Sequence, residues 1–230
     1  MLRTALRNLL LPTFPLLPQR HLLPIFVYFV FFVVPSSHSA TPAQTKTIVC
    51  FGDSLTAGYG LEEPLAESYP ALLEKKLADA GLSYRIVNAG LSGETSAGGL
   101  RRIDWILRQR IDVFILALGA NDGLRGIEPS VTRANLDAIL TRVRAKYPAA
   151  RLVVAGMMMP ASLGASYSRE YAEIFPSVAK QHDAALIPFL LENVGGVERL
   201  NQPDRIHPTA EGQKIVAENV WKVLHPLLAP

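Results

Sequence analysis

The stretch from residue 46 to residue 225 predicts a doubly wound α/β domain: a parallel sheet covered by helices on both faces. Three observations carry that prediction. Short apolar, β-branched runs alternate with longer amphipathic stretches along the chain. The apolar runs recur about 25–40 residues apart, the spacing of strands joined by helical crossovers. The run VFILAL at 113–118 is apolar throughout, as expected of a central strand buried on both faces.

Each element has its own reason. Residues 47–51 (TIVCF) are short and β-branched and end at Gly52-Asp53-Ser54, so they read as a buried strand. Residues 68–80 carry Leu72, Leu73, Leu77 and Ala80 at helical spacing and stop at Gly81. Residues 84–88 form a second strand, and 95–109 a helix with Leu100, Ile103 and Leu107 on one face. After the strand at 113–118 come a helix at 130–146, a strand at 152–155 and a helix at 168–181. A short fifth strand at Ala185–Ile187 and a closing helix at 209–224 complete the series. Five strands, each followed by a helix, make one three-layer domain. No repeat, linker or low-complexity segment interrupts it.

Composition narrows the function. The 230 residues are 49% hydrophobic and 19% charged, which excludes disorder, collagen-like repeats and coiled coil. A single cysteine, Cys50, excludes a disulfide framework and a cysteine-based zinc site, and reads as buried packing. The formal charge of +3 comes from Arg3, Arg7 and Arg20; without them, 20 Lys+Arg face 20 Asp+Glu. Phosphate backbones would find no basic surface, so no nucleic-acid partner is expected.

The first 39 residues read as a cleaved secretory signal peptide and residues 40–230 as the mature domain. The apolar block at 22–34 follows scattered arginines and precedes the small, polar run Ser36-Ser37-His38-Ser39-Ala40. At about 1.5 Å per residue that block spans roughly 20 Å, short of the ~30 Å hydrocarbon core. Ser37 and Ser39 suit the −3 and −1 positions, which places cleavage after Ser39. The alternative is an uncleaved membrane anchor. Cys50 follows Thr47-Ile48-Val49, without the small residue a lipoprotein site requires. A periplasmic or secreted protein is expected.

In a parallel sheet of this kind, ligands bind outside the carboxyl ends of the strands. There the chain places Gly52-Asp53-Ser54-Leu55, Ser92-Gly93-Glu94-Thr95 and Gly119-Ala120-Asn121-Asp122-Gly123, with Asp204-Arg205-Ile206-His207-Pro208 before the last helix. A serine hydroxyl is inert at neutral pH unless an imidazole takes its proton. That imidazole must itself be held, usually by a carboxylate. Of the mature histidines His182, His207 and His225, only His207 has an acid three residues earlier, Asp204, in a pre-helical loop. His182, at a helix end, and His225, in a C-terminal tail, read as surface positions. Asp53, Asp122 and Asn88 read as loop braces. Met157-Met158-Met159 follows the fourth strand, as an acyl-pocket lining or as core.

These blocks resemble the SGNH (GDSL) hydrolase superfamily. FGDSLTAGYG, NAGLSGETS, LGANDGLRG and DRIHP are most similar to its bacterial thioesterase I / lysophospholipase L1 / arylesterase group. The resemblance implies a three-layer, flavodoxin-like fold on a five-stranded parallel sheet. It implies Ser54 as nucleophile, His207 as general base and Asp204 as its orienter. It implies an oxyanion hole of the Ser54 and Gly93 backbone N–H groups and the Asn121 amide. Glycine at 93 is expected to let backbone approach the reacting oxygen. Ala120 stands where close relatives often have glycine, which should narrow the site slightly.

The expected activity is that of an exported serine esterase acting on acyl esters, aryl esters, lysophospholipids or thioesters. No metal or organic cofactor is expected: HExxH, Walker and dinucleotide motifs are absent, and so is the GxSxG elbow. The alternatives are a carbohydrate O-deacetylase on the same scaffold and a non-catalytic lipid- or glycan-binding module. The partner is a small ester or lysolipid, with at most transient membrane-surface contact, and a monomer is expected.

Overall fold

The computed structural model describes residues 45–228. The expected signal peptide and its cleavage point lie outside them. Five parallel strands form one sheet in the order β2-β1-β3-β4-β5. They are β1 (Lys46–Gly52), β2 (Tyr84–Gly90), β3 (Val113–Ala117), β4 (Arg151–Ala155) and β5 (Ala185–Ile187). The helices are α1 (Ser54–Ala57), α2 (Pro64–Glu67), α3 (Tyr69–Asp79), α4 (Ser96–Ile106), α5 (Ala120–Leu124), α6 (Pro129–Lys146), α7 (Ala165–Ala172), α8 (Ile174–Gln181) and α9 (Ala210–Leu228). The predicted α/β class and five-stranded parallel sheet are both observed.

Burial follows sheet position. All five residues of β3 are buried, and so is every residue of β1 after Lys46. Strands shielded on both faces must be apolar in succession, which is the pattern the sequence shows. Helices α3 and α9 pack together, while α6 packs on α4 and α8, giving a helical layer on each side of the sheet.

The first strand, β1, lies inside the sheet; the chain then goes outward to β2 and returns on the far side of β1 to form β3. The loops leaving β1 and β3 therefore diverge, and a crevice opens at their carboxyl ends. Register makes those ends level: Gly52 pairs with Gly90 on one side and Ala117 on the other. Ser54, Gly93 and Asn121 lie just beyond these three residues.

Three expectations are corrected. The helix expected at 168–181 is two helices, α7 and α8, meeting at Glu173. Pro176 has no N–H, and its ring conflicts with the carbonyl of Ala172, where α7 ends. The last helix continues to Leu228 through Pro226, anchored by buried Leu224 and Leu228, so His225 is an exposed helical residue and not part of a tail. Helices α1, α2 and α5 were not expected, being too short for an apolar period to register.

Candidate active site

Ser54 owes its position to a tight strand-to-helix turn. Asp53 caps α1 by accepting the Leu55 N–H at 3.0 Å, which makes Ser54 the first helical residue. Backbone N–H groups in a first helical turn have no acceptor within the helix. That of Ser54 has none among the described residues. The turn is close-packed: a Cβ on Gly90 would stand 2.3 Å from the Ala57 nitrogen. Asn88 braces it as expected, donating to the Thr56 carbonyl at 2.9 Å and accepting the Gly90 N–H at 3.0 Å.

His207 arrives on a loop closed by an antiparallel bridge between Asn201 and Pro208. Gln202 donates its N–H to the His207 carbonyl at 2.7 Å and its side-chain amide to the Tyr59 carbonyl at 2.7 Å. The loop is thereby docked on the segment that follows Ser54. Across 153 residues of sequence, the imidazole Nε2 comes within 2.9 Å of Ser54 Oγ. Its Nδ1 lies 2.7 Å from Asp204 Oδ2.

Asp204 Oδ1 accepts the N–H groups of Ile206 at 2.9 Å and His207 at 3.0 Å. Desolvation pushes this carboxyl up, but the His207 backbone and ring and the Ile206 N–H together outweigh it and bring it down to about 2. Asp204 is thus a carboxylate that only accepts, so Nδ1 carries the proton and Nε2 is free to receive the serine's. The Tyr59 ring lies 4.7 Å from that of His207, centre to centre, and limits its rotation.

Gly93 has φ +77°, and a Cβ there would meet only Arg125 Nη2, at 3.9 Å. The positive φ by itself favours glycine at this position. No acceptor among the described residues takes the Gly93 N–H. Asn121 Nδ2 donates to the Glu94 carbonyl at 3.0 Å and, in a long and weaker contact, to Asp53 Oδ2 at 3.5 Å.

Behind these groups lies a network that short motifs do not announce. Asp122 accepts both the Ser96 N–H at 2.8 Å and the Ser96 hydroxyl, and Thr132 Oγ1 lies 3.3 Å away. Arg102 pairs with Glu94, donates to the carbonyls of Gly52 at 3.2 Å and Ala89 at 3.0 Å, and lies over the Phe51 ring. It ties together the ends of β1 and β2. Burial pushes the Asp53 carboxyl up to about 7, against the backbone N–H groups it accepts, with the negative charges of Asp122 and Glu94 adding to the rise. Burial also pushes the Cys50 thiol up to about 12, which fits packing and not chemistry. His182 is not the surface residue expected: its side chain is only 10% exposed and lies 2.6 Å from Asp137.

Ser54, Asn121 and His207 open into a cleft of about 440 Å³. Its wall is largely apolar, built from Leu55, Leu124, Met157, Met158, Met159, Phe189, Leu191 and Ile206, with Ala120 beside Asn121. Met157 and Met159 are buried in the core, and all three methionines line the cleft. Chemically the site offers an oxygen nucleophile, a base oriented for it and N–H donors beside it, opening on a space suited to an acyl chain.

A model of the GDSL-like lipase/acylhydrolase family matches residues 50–215. The esterase TesA of Pseudomonas aeruginosa is 41% identical over 187 residues, covering 81% of this chain and 91% of that protein. Thioesterase 1/protease 1/lysophospholipase L1 of Escherichia coli K12 is 37% identical over 81% of this chain and 86% of that protein. Among solved structures, a crystal structure of TesA is similar with a TM-score of 0.76 at 41% identity, covering 80% of this chain and 100% of its own.

Proposed function

Because the chain belongs to the GDSL-like lipase/acylhydrolase family, the SGNH hydrolases, and is a carboxylic ester hydrolase, we propose that it works through an acyl-enzyme on Ser54. The observation that carries this reading is the unbroken contact from Asp204 Oδ2 through both nitrogens of His207 to Ser54 Oγ, at 2.7 and 2.9 Å.

Ser54 Oγ attacks the ester carbonyl while its proton passes to His207 Nε2. The carbonyl oxygen becomes an oxyanion, received by the N–H groups of Ser54 and Gly93 and by the Asn121 amide, whose long contact to Asp53 is the one that gives way. Each such donor is typically worth about 10²–10³ in rate. As the tetrahedral adduct collapses, the C–O bond to the alcohol breaks and His207 returns the proton to the departing oxygen. Water then attacks the acyl-enzyme, His207 takes its proton, and Ser54 leaves with that proton restored. Asp204 stays ionised and stabilises the imidazolium at each stage.

The substrates we assign are acyl esters of medium or long chain, aryl esters, lysophospholipids and acyl thioesters. The size and apolar wall of the cleft support this class over acetylated carbohydrate. The test is hydrolysis of p-nitrophenyl esters from C2 to C16. An optimum beyond C4 is expected; activity confined to C2 would indicate the deacetylase instead, and none at any length the binding module.

Export belongs to the same proposal, resting on the arginines, apolar block and small-residue run of residues 1–39. N-terminal sequencing of the protein from the producing cell should begin at or within a few residues of Ala40, in a periplasmic or extracellular fraction. A full-length chain in the cytosol would overturn it.

A further inference from the structure

The Gly93 N–H must point at the reacting oxygen, yet Gly93 lies in a loop outside any helix or strand. Something has to hold that loop while charge develops on the substrate. Arg102 pairs with Glu94 from α4, and three further holding groups come from one short helix and its cap. From α5 and its cap, Asn121 Nδ2 donates to the Glu94 carbonyl at 3.0 Å, and Asp122 accepts the Ser96 N–H at 2.8 Å. Arg125, at the carboxyl end of α5, donates from Nη2 to the carbonyl of Gly93 itself at 3.0 Å.

Asn121 and Asp122 already serve the oxyanion hole and the buried brace beneath it. Arg125 has neither duty. Its side chain runs along the surface, outside the core, and the Gly93 carbonyl is the acceptor it reaches. Gly93 also has the positive φ that a glycine abandons readily when unsupported, since it populates both signs of φ with similar ease. A charged donor on the Gly93 carbonyl restrains the residue whose N–H faces the substrate.

We propose that Arg125 is a positioning residue for the reaction: its guanidinium clamps the Gly93 carbonyl and thereby keeps the Gly93 N–H aimed at the developing oxyanion. The inference rests on the acyl-enzyme reading of Ser54 and Gly93. Because the clamp fixes a donor that matters most in the transition state, its loss lowers kcat and leaves KM nearly unchanged. Misplacing a catalytic group by a fraction of its reach costs about tenfold or more.

The test uses a neutral substrate, p-nitrophenyl butyrate, so that attraction of the guanidinium to a charged substrate does not contribute. Arg125→Ala should lower kcat about tenfold with KM within about twofold. It should slow covalent inactivation by a neutral alkylphosphonate ester in parallel, because the phosphoryl oxygen gains negative charge against the same donors as Ser54 Oγ displaces the leaving alkoxide. Arg125→Lys, which keeps a charged donor on a flexible stem, should recover part of the loss. Thermal unfolding of both variants should match the parent, since Arg125 lies outside the core. Wild-type kcat in Arg125→Ala, or a change confined to KM, would overturn the proposal. So would a loss that Arg125→Lys leaves wholly unrescued. Failure of the acyl-enzyme reading is separable, because it would show as activity retained in Ser54→Ala whatever Arg125 does.

Discussion

Ser54→Ala is expected to lower kcat for ester hydrolysis by about 10⁴–10⁶, with the substrate still bound. The variant removes one oxygen and leaves the donors and the cleft in place. Among the described residues the lost hydroxyl hydrogen-bonds only with His207 Nε2, so the loss of fold stability should be small beside the loss of rate. Without Oγ no acyl-enzyme forms, and the burst of p-nitrophenol that marks its accumulation disappears. Binding should survive, because the variant leaves the apolar wall of the cleft unchanged. Stopped-flow kinetics on p-nitrophenyl butyrate, with binding followed by a non-hydrolysable ether analogue, separates the two quantities. Full activity in the variant would remove the basis for every role assigned around Ser54.

Asp204→Asn is expected to cost about 10³–10⁴ in kcat. The amide can keep an acceptor on the backbone N–H groups of Ile206 and His207, so the loop should survive. What changes is the imidazole. An amide nitrogen facing Nδ1 favours the tautomer whose Nε2 carries the hydrogen, and a protonated Nε2 cannot accept from Ser54. The parent enzyme also makes a pH prediction. The Asp204 carboxyl, about 2 in the folded protein against an ordinary value of 3.8, binds its proton more weakly when folded. Its contribution to stability is therefore fully present above about pH 4 and is lost as pH falls through about 2. Urea unfolding of parent and Asp204→Asn across pH 2–6 should show the difference between them shrinking toward the acid end. A constant difference would contradict the assignment.

Much of the fold was legible because its signals are local. Strands β1 and β3 announce themselves as unbroken apolar runs, since both faces are covered. Helix α3 shows its apolar face at the helical period and ends where Gly81 takes φ +67°. What escaped had no period to show or depended on one residue overriding a pattern. Four residues of α1 cannot display an amphipathic repeat, and Pro176 splits a stretch whose hydrophobic spacing reads as continuous. The partner of His182 is hidden from the sequence, because nothing near it reveals Asp137, which reaches it from α6.

The site was legible in kind but not in support. Ser54, Asn121 and His207 stand in recognisable short blocks, and their chemistry follows from residue type. Arg102, Gln202 and Arg125 hold the structure around them, yet each acts on a backbone carbonyl distant in sequence. A carbonyl belongs to every residue, so no residue type marks the acceptor.

By itself, the sequence determined the succession of strands and helices, the apolar faces they bury, and which reactive side chains stand at the strand ends. Tertiary structure alone decided that β1 lies between β2 and β3, which opens the crevice, and that the 201–208 loop docks on Tyr59. It alone decided the 2.9 Å between His207 and Ser54. The division has one physical cause. Periodicity, capping and backbone conformation act over a few residues and are written where they act. A catalytic distance is a sum over all the packing between its two ends.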